Sequence, residues 1–119
     1  MKRNWTPITS LDNIPVREGR AVNLDGRELA IFNLDGKFMA VDNRCPHRGG
    51  PLADGIVAGN HVVCPLHGWK VCLENGRVTK PETPACVLTY RTRVKNGLVW
   101  VEVPEDLELA RTRREEVAA

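Results

Sequence analysis

An all-β fold of antiparallel strands is predicted by three features of the sequence. The dipeptides Asp25-Gly26, Asp35-Gly36, Asn75-Gly76 and Asn96-Gly97 punctuate it, and Asp or Asn followed by Gly tolerates the positive φ angles that two-residue hairpin turns require. Between these dipeptides, apolar and polar residues alternate in short runs, the period of a half-buried strand. The run Leu98-Val99-Trp100-Val101-Glu102-Val103 is rich in β-branched and aromatic residues and closes at Pro104, which has no N–H to continue a ladder.

Taken in order, Trp5 to Ile8 reads as an opening strand, and Leu11 to Val16 as a connecting turn in which the Asp12-Asn13 pair caps one helical turn. Arg20 to Leu24 then pairs with Glu28 to Asn33, and the strand containing Ile31 pairs with Phe38 to Asp42. From Asp42 to His61 the alternation gives way to Gly49, Gly50, Pro51, Gly55 and Gly59, which predicts loop apart from a short strand at Gly55 to Val57. His61 begins a strand leading to Cys64. Lys70 to Leu73 pairs with Val78, and Tyr90 to Lys95 with Leu98 to Val103. After Pro104, Glu105 to Arg111 carries acids early and an arginine late, which suits a helix dipole and predicts a short C-terminal helix. The domain plan is therefore a single domain over residues 1–104 and a helix or tail over 105–119.

At 119 residues the chain is long enough for one modest core without disulfide support. A net charge of +2, with basic residues spread along the chain, argues against nucleic acid as a partner. Arg111, Arg113 and Arg114 are flanked by Glu108, Glu115 and Glu116, as on a solvated helix face. No 18-residue apolar stretch is present to cross a bilayer, and Met1 to Pro7 lacks the apolar run of a secretory signal, so the expectation is a cytoplasmic protein with no membrane partner. In a reducing compartment, cysteines are used for metal more often than for disulfides. Cys72 and Cys86 read as small hydrophobes.

Two loops concentrate the chemistry. Cys45 and His47 are separated by one residue, Cys64 and His67 by two, and sixteen residues lie between His47 and Cys64. In each loop a proline directly follows the cysteine and a glycine lies within two residues of the histidine, giving a stiff backbone that can approach a compact inorganic centre. Two thiolates and two imidazoles suit a structural zinc ion, but zinc sites commonly take a Cys pair and then a His pair. One Cys and one His from each of two loops is the arrangement for a two-iron, two-sulfur cluster with cysteines on one iron and histidines on the other.

These residues, Cys45-Pro-His47-Arg-Gly-Gly-Pro-Leu and Cys64-Pro-Leu-His67-Gly-Trp, resemble the Rieske iron–sulfur domain. The resemblance implies an antiparallel β-sandwich or barrel with a cluster-binding subdomain inserted at about residues 43–73. It implies one [2Fe-2S] cluster per chain, with Cys45 and Cys64 on the inner iron and His47 and His67 on the outer, exposed one. Rieske proteins of respiratory and photosynthetic complexes add a cysteine to each loop to form a bracing disulfide; here those places hold Gly50 and Leu66. The serine and tyrosine that raise the potential in those proteins are replaced by Trp69 and Val71, which implies a potential near the low end of the Rieske range, about −150 mV rather than about +300 mV.

From Trp5 to Val103 the chain is most similar to the small subunit of the cytoplasmic assimilatory NAD(P)H-dependent nitrite reductase. The similarity takes in Ile14-Pro15, Glu18-Gly19-Arg20, Ala30-Ile31-Phe32, Asp42-Asn43-Arg44, Gly55-Ile56-Val57 and Trp69-Lys70-Val71. It implies a large-subunit partner with FAD, an iron–sulfur cluster and sirohaem that reduces nitrite to ammonia, this chain being an electron carrier with no substrate site of its own. The alternative is a free Rieske ferredoxin between a flavin reductase and an aromatic-ring dioxygenase; those ferredoxins more often have Gly or Ser at the place of Trp69, and an aromatic followed by Asp at Val71-Cys72. A zinc-stabilised interaction module is the third reading. The chain has no G-x-G-x-x-G for a dinucleotide, and His61, as the remaining histidine, is too little for a mononuclear iron site. His61 reads as an ordinary strand-edge residue. Trp69 reads as a lid or a docking residue, and Arg44, Arg48 and Lys70 as a steering rim or as solvated loop charges.

Overall fold

The computed structural model describes residues 3–24, 26–46, 49–66 and 68–104. The expected C-terminal helix over residues 105–119 lies outside the described residues. Eleven strands are described: β1 (Arg3–Ser10), β2 (Gly19–Leu24), β3 (Arg27–Leu34), β4 (Lys37–Asp42), β5 (Ile56–Ala58), β6 (His61–Val63), β7 (Lys70–Cys72), β8 (Val78–Lys80), β9 (Thr89–Tyr90), β10 (Thr92–Lys95) and β11 (Leu98–Pro104). They form three sheets, β1-β11-β10, β2-β3-β4-β9 and β5-β6-β7-β8, and their pairings are antiparallel. The third sheet continues past Leu73 to Lys80, and a bridge joins Arg77 to Cys86.

Strand β3 of the middle sheet is buried on both faces. Leu29 and Ile31 of β3 join Ile14, Phe38, Ala40, Val99 and Val101 in one core, against the first sheet. Their neighbours Ala30 and Phe32 point the other way, into a second core with Leu52, Val62, Val71, Leu73 and both Cys45 and Cys64. A strand with two buried faces must be apolar at successive positions, which explains the run Leu29-Ala30-Ile31-Phe32.

The hairpin turns follow the expected chemistry at two of the dipeptides. Asp35 and Gly36 have φ of 56° and 97°, and Asn96 and Gly97 have 55° and 74°, the left-handed pairs of a two-residue turn. Asn75-Gly76 differs: it closes a four-residue loop in which the Cys72 N–H donates to the Arg77 carbonyl and the Gly76 N–H to the Cys72 carbonyl. Tyr90 to Lys95, expected as one strand, divides at Arg91. Its first part, β9, pairs with β4 of the middle sheet, and its second, β10, with β11 of the first, so the chain turns a corner between sheets. The helical turn near Asp12 is a 3-10 turn over Leu11–Asn13, capped by the Ser10 side chain rather than by Asp12-Asn13.

Phe32 is fully buried at the junction of the middle sheet with the second core, and a Cβ placed on Gly19 would lie 2.5 Å from its ring. Phe32→Ala is expected to cost about 3–5 kcal/mol. The check is a fall in the urea midpoint with an unchanged m-value.

Candidate metal centre

Cys45 and Cys64 head two loops with the same hydrogen bonds. The Cys45 N–H donates to the Gly50 carbonyl at 2.9 Å, and the Gly49 N–H returns to the Cys45 carbonyl at 2.8 Å. In the second loop the Cys64 N–H donates to Trp69 at 2.8 Å and the Gly68 N–H to Cys64 at 3.0 Å. Each loop thus closes five residues beyond its cysteine, and the fourth residue is a glycine with φ of 71° at Gly49 and 73° at Gly68. Those conformations would cost an ordinary L-residue about 1–2 kcal/mol. Pro46 and Pro65 fix the backbone immediately after each cysteine. His47, Arg48 and His67 lie outside the described residues.

Both thiols are buried, at 2% and 3% exposure, in the core beneath the middle sheet, and neither forms a disulfide. The loops meet at Gly50. A Cβ there would lie 2.9 Å from Leu66 and 3.0 Å from the Cys64 Sγ, so a larger residue has no room between the first loop and the second cysteine. Leu66, half exposed at 52%, fills the adjoining space.

Asn43 ties the first loop to the fold. Its backbone N–H donates to the Glu28 carbonyl, its Nδ2 donates to Glu28 Oε1 at 2.7 Å, and its Oδ1 accepts from the Ala53 N–H at 2.7 Å. This buried amide holds β3, the chain entering Cys45 and the 3-10 turn Leu52–Asp54 in one network. Sequence reasoning placed Asn43 in a family resemblance without a role; an Asn directly before a ligand loop was the available signal. Nearby, the Tyr90 hydroxyl donates to Asp42 Oδ1 at 2.6 Å, and the Arg27 Nε lies 3.9 Å from the same oxygen.

Trp69 is half-buried and packs on the core that contains both thiols, while its carbonyl accepts from Cys64. Packing of this kind favours a lid. The Arg44 side chain folds over Gly49, its Nε 3.4 Å from where a Cβ would be, and Lys70 is exposed. His61 pairs with Cys72, at the far end of β6 from Cys64. Cys72 is buried and Cys86 exposed. A cleft of about 680 Å³ lies along Phe38, Met39, Glu74, Tyr90, Arg91 and Glu102, and neither cysteine loop lines it. No described helix is long and apolar enough to cross a membrane.

Two soft, unbridged thiols in a dry core, approached by a glycine that leaves no space for a Cβ beside one sulfur, fit a compact sulfur-liking metal centre. The model of the Rieske [2Fe-2S] domain family matches residues 4–91. The ferredoxin component of naphthalene 1,2-dioxygenase/salicylate 5-hydroxylase systems from Ralstonia sp is 28% identical over 87% of this chain and 99% of its own length. Two longer relatives are covered over only 18% and 32% of their lengths. A ferredoxin structure from Sphingomonas yanoikuyae B1 superposes with a TM-score of 0.78 at 26% identity, covering 85% of this chain and all of that one. A structure described as a candidate NADPH nitrite reductase small subunit gives 0.72 at 24% identity, over 82% of this chain and 97% of that one; at that identity it shows the shared fold.

Cys45→Ser and Cys64→Ser are each expected to abolish bound metal, and Cys72→Ser to retain it. Gly50→Ala, overpacked by about 1–3 kcal/mol, should lower metal content, and Leu66→Ala in the same chain should recover part of it. Metal and acid-labile sulfide analysis of the purified variants checks all five.

Proposed function

Because the chain belongs to the Rieske [2Fe-2S] domain family, we propose that Cys45, His47, Cys64 and His67 hold its cluster and that it serves as the electron-carrying small subunit of an NAD(P)H-dependent nitrite reductase. When bound, the cluster supplies one-electron transfer. The remaining work belongs to the chain. Cys45 and Cys64 present two thiolates from the heads of loops fixed by Gly49 and Gly68. Leu52, Val62 and Val71 surround the two thiols with apolar core, and Trp69 packs against that core. His47 and His67 would hold the other iron of the cluster, which would supply the one-electron transfer.

The observation that carries the electron-transfer reading is the pair of matching loops that bring two buried, unbridged thiols into one core. Paired thiols suit a redox metal centre, and the cleft along Phe38, Tyr90 and Glu102 contains neither loop. The nitrite reductase assignment is supported by the residue types around the second loop: Trp69, which packs on the core, Val71, which is buried in it, and Cys72, which is buried beside Val71 in β7. A free cytoplasmic ferredoxin serving an aromatic-ring dioxygenase is the second reading, favoured by the Ralstonia ferredoxin that this chain covers over 99% of its length. In the first reading the partner is the large subunit bearing FAD, iron–sulfur and sirohaem groups; in the second it is a flavin reductase and an oxygenase.

Two measurements test this. The redox titration should give a midpoint of about −150 mV, because the buried Val71 side chain has no polar atom to stabilise the reduced state; a value well above zero contradicts it. Added to a sirohaem-bearing large subunit, the holoprotein should restore NADPH-dependent conversion of nitrite to ammonia, and Cys64→Ser should not. Restored oxygenase turnover without any effect on nitrite would favour the ferredoxin instead.

A further inference from the structure

We propose that Lys70 and Lys80 form a paired cationic edge that receives an acidic protein surface beside the second cysteine loop; this rests on the electron-carrier reading above. Lys70 and Lys80 are Cα partners across β7 and β8, and both are exposed. Like charges placed directly opposite on a sheet repel. The register creates this pair: it shifts between Lys70 and Val71, and since Val71 faces Val78, an unbroken ladder would put Thr79 opposite Lys70. The register shift exchanges a neutral partner for a second cation, and such irregularities re-aim side chains.

The need to blunt a sheet edge explains only half of this arrangement. Lys80 lies on the edge strand β8, where lysine discourages strand addition, but Lys70 lies on β7, between β6 and β8. The ion pairs among the described residues use Arg17, Arg20 and Arg27 and neither lysine. Position completes the argument. Lys70 pairs with Val63, the residue before Cys64, and follows Trp69, whose carbonyl accepts from Cys64. Arg44, exposed and folded over Gly49, puts another cation at the base of the first loop, and the half-exposed Leu66 lies on the second. Exposed cations on the strand that follows the second loop, with an exposed apolar residue on that loop, fit a partner that combines carboxylates with an apolar contact. With a net charge of only +2, the attraction is local to this edge.

The test uses the reduced holoprotein at low ionic strength, oxidised in a stopped-flow instrument by ferricyanide, an anion, or hexaammineruthenium(III), a cation. In each case one electron passes from the protein to the complex ion, with no bond made or broken. Lys70→Glu and Lys80→Glu should each slow oxidation by ferricyanide roughly three- to tenfold and quicken oxidation by the ruthenium ion. Lys37→Glu, the same change of net charge on an exposed lysine at the β3–β4 turn, should change either rate much less. Lys70→Gln, which keeps a neutral chain of similar length, should give an intermediate effect. Poly-L-glutamate should slow the ferricyanide reaction of the unaltered protein and leave the Lys80→Glu protein unaffected, marking the edge as one for an acidic polypeptide.

Equal effects of Lys37→Glu and the two edge substitutions would overturn the proposal, as would indifference to poly-L-glutamate. A protein that holds its iron yet passes no electron to either ion would instead overturn the carrier reading itself.

Discussion

Two thiols have to stay dry and close while the chain carries them on loops separated by a hairpin, and this constraint organises the molecule. The middle sheet supplies the floor. β3 turns Leu29 and Ile31 toward the first sheet, and Ala30 and Phe32 toward the core shared by Cys45 and Cys64. One core therefore serves stability, and the other joins the loops to the fold. Because the second core includes both cysteines, a packing defect at Phe32 or Leu52 is also a defect under the proposed metal site. If Cys45 and Cys64 hold the cluster as proposed, hydrophobic burial and cofactor binding are coupled through the same residues.

Above that floor, glycine does what side chains cannot. Gly49 and Gly68 allow the backbone to close behind each cysteine, and Gly50 lets the first loop approach the Cys64 sulfur. Where some Rieske proteins brace the loops with a disulfide, this chain has a glycine meeting a leucine, Gly50 against Leu66. That contact is non-covalent, and Asn43 adds a polar tether from Glu28 to Ala53. The loops are held by packing and hydrogen bonds rather than by a disulfide.

Much of this was legible in the sequence, for identifiable reasons. The cysteine and histidine spacing, the flanking prolines and glycines, and the Asp-Gly and Asn-Gly turns act locally, so a linear reading finds them. The strand pairs around Asp35-Gly36 and Asn96-Gly97 follow for the same reason. Long-range effects were hidden. Nothing near Arg91 announces that Tyr90 and Thr92 belong to different sheets, since the corner is set by what β4 and β11 require as partners. The four-residue loop at Asn75-Gly76 depends on close packing with Val87, whose carbonyl lies 2.1 Å from where a Gly76 Cβ would be. The bulge that brings Lys80 opposite Lys70 is likewise a property of pairing.

The central claim is that one iron takes its protein ligands as thiolates from Cys45 and Cys64, and the other as imidazoles from His47 and His67. Mössbauer spectroscopy of the oxidised, iron-57-enriched protein tests this most directly, because sulfur and nitrogen ligands give the two irons different isomer shifts. The account predicts two quadrupole doublets of equal area and unequal isomer shift. A single doublet of all-sulfur character, or a protein that binds zinc and no iron, would contradict it.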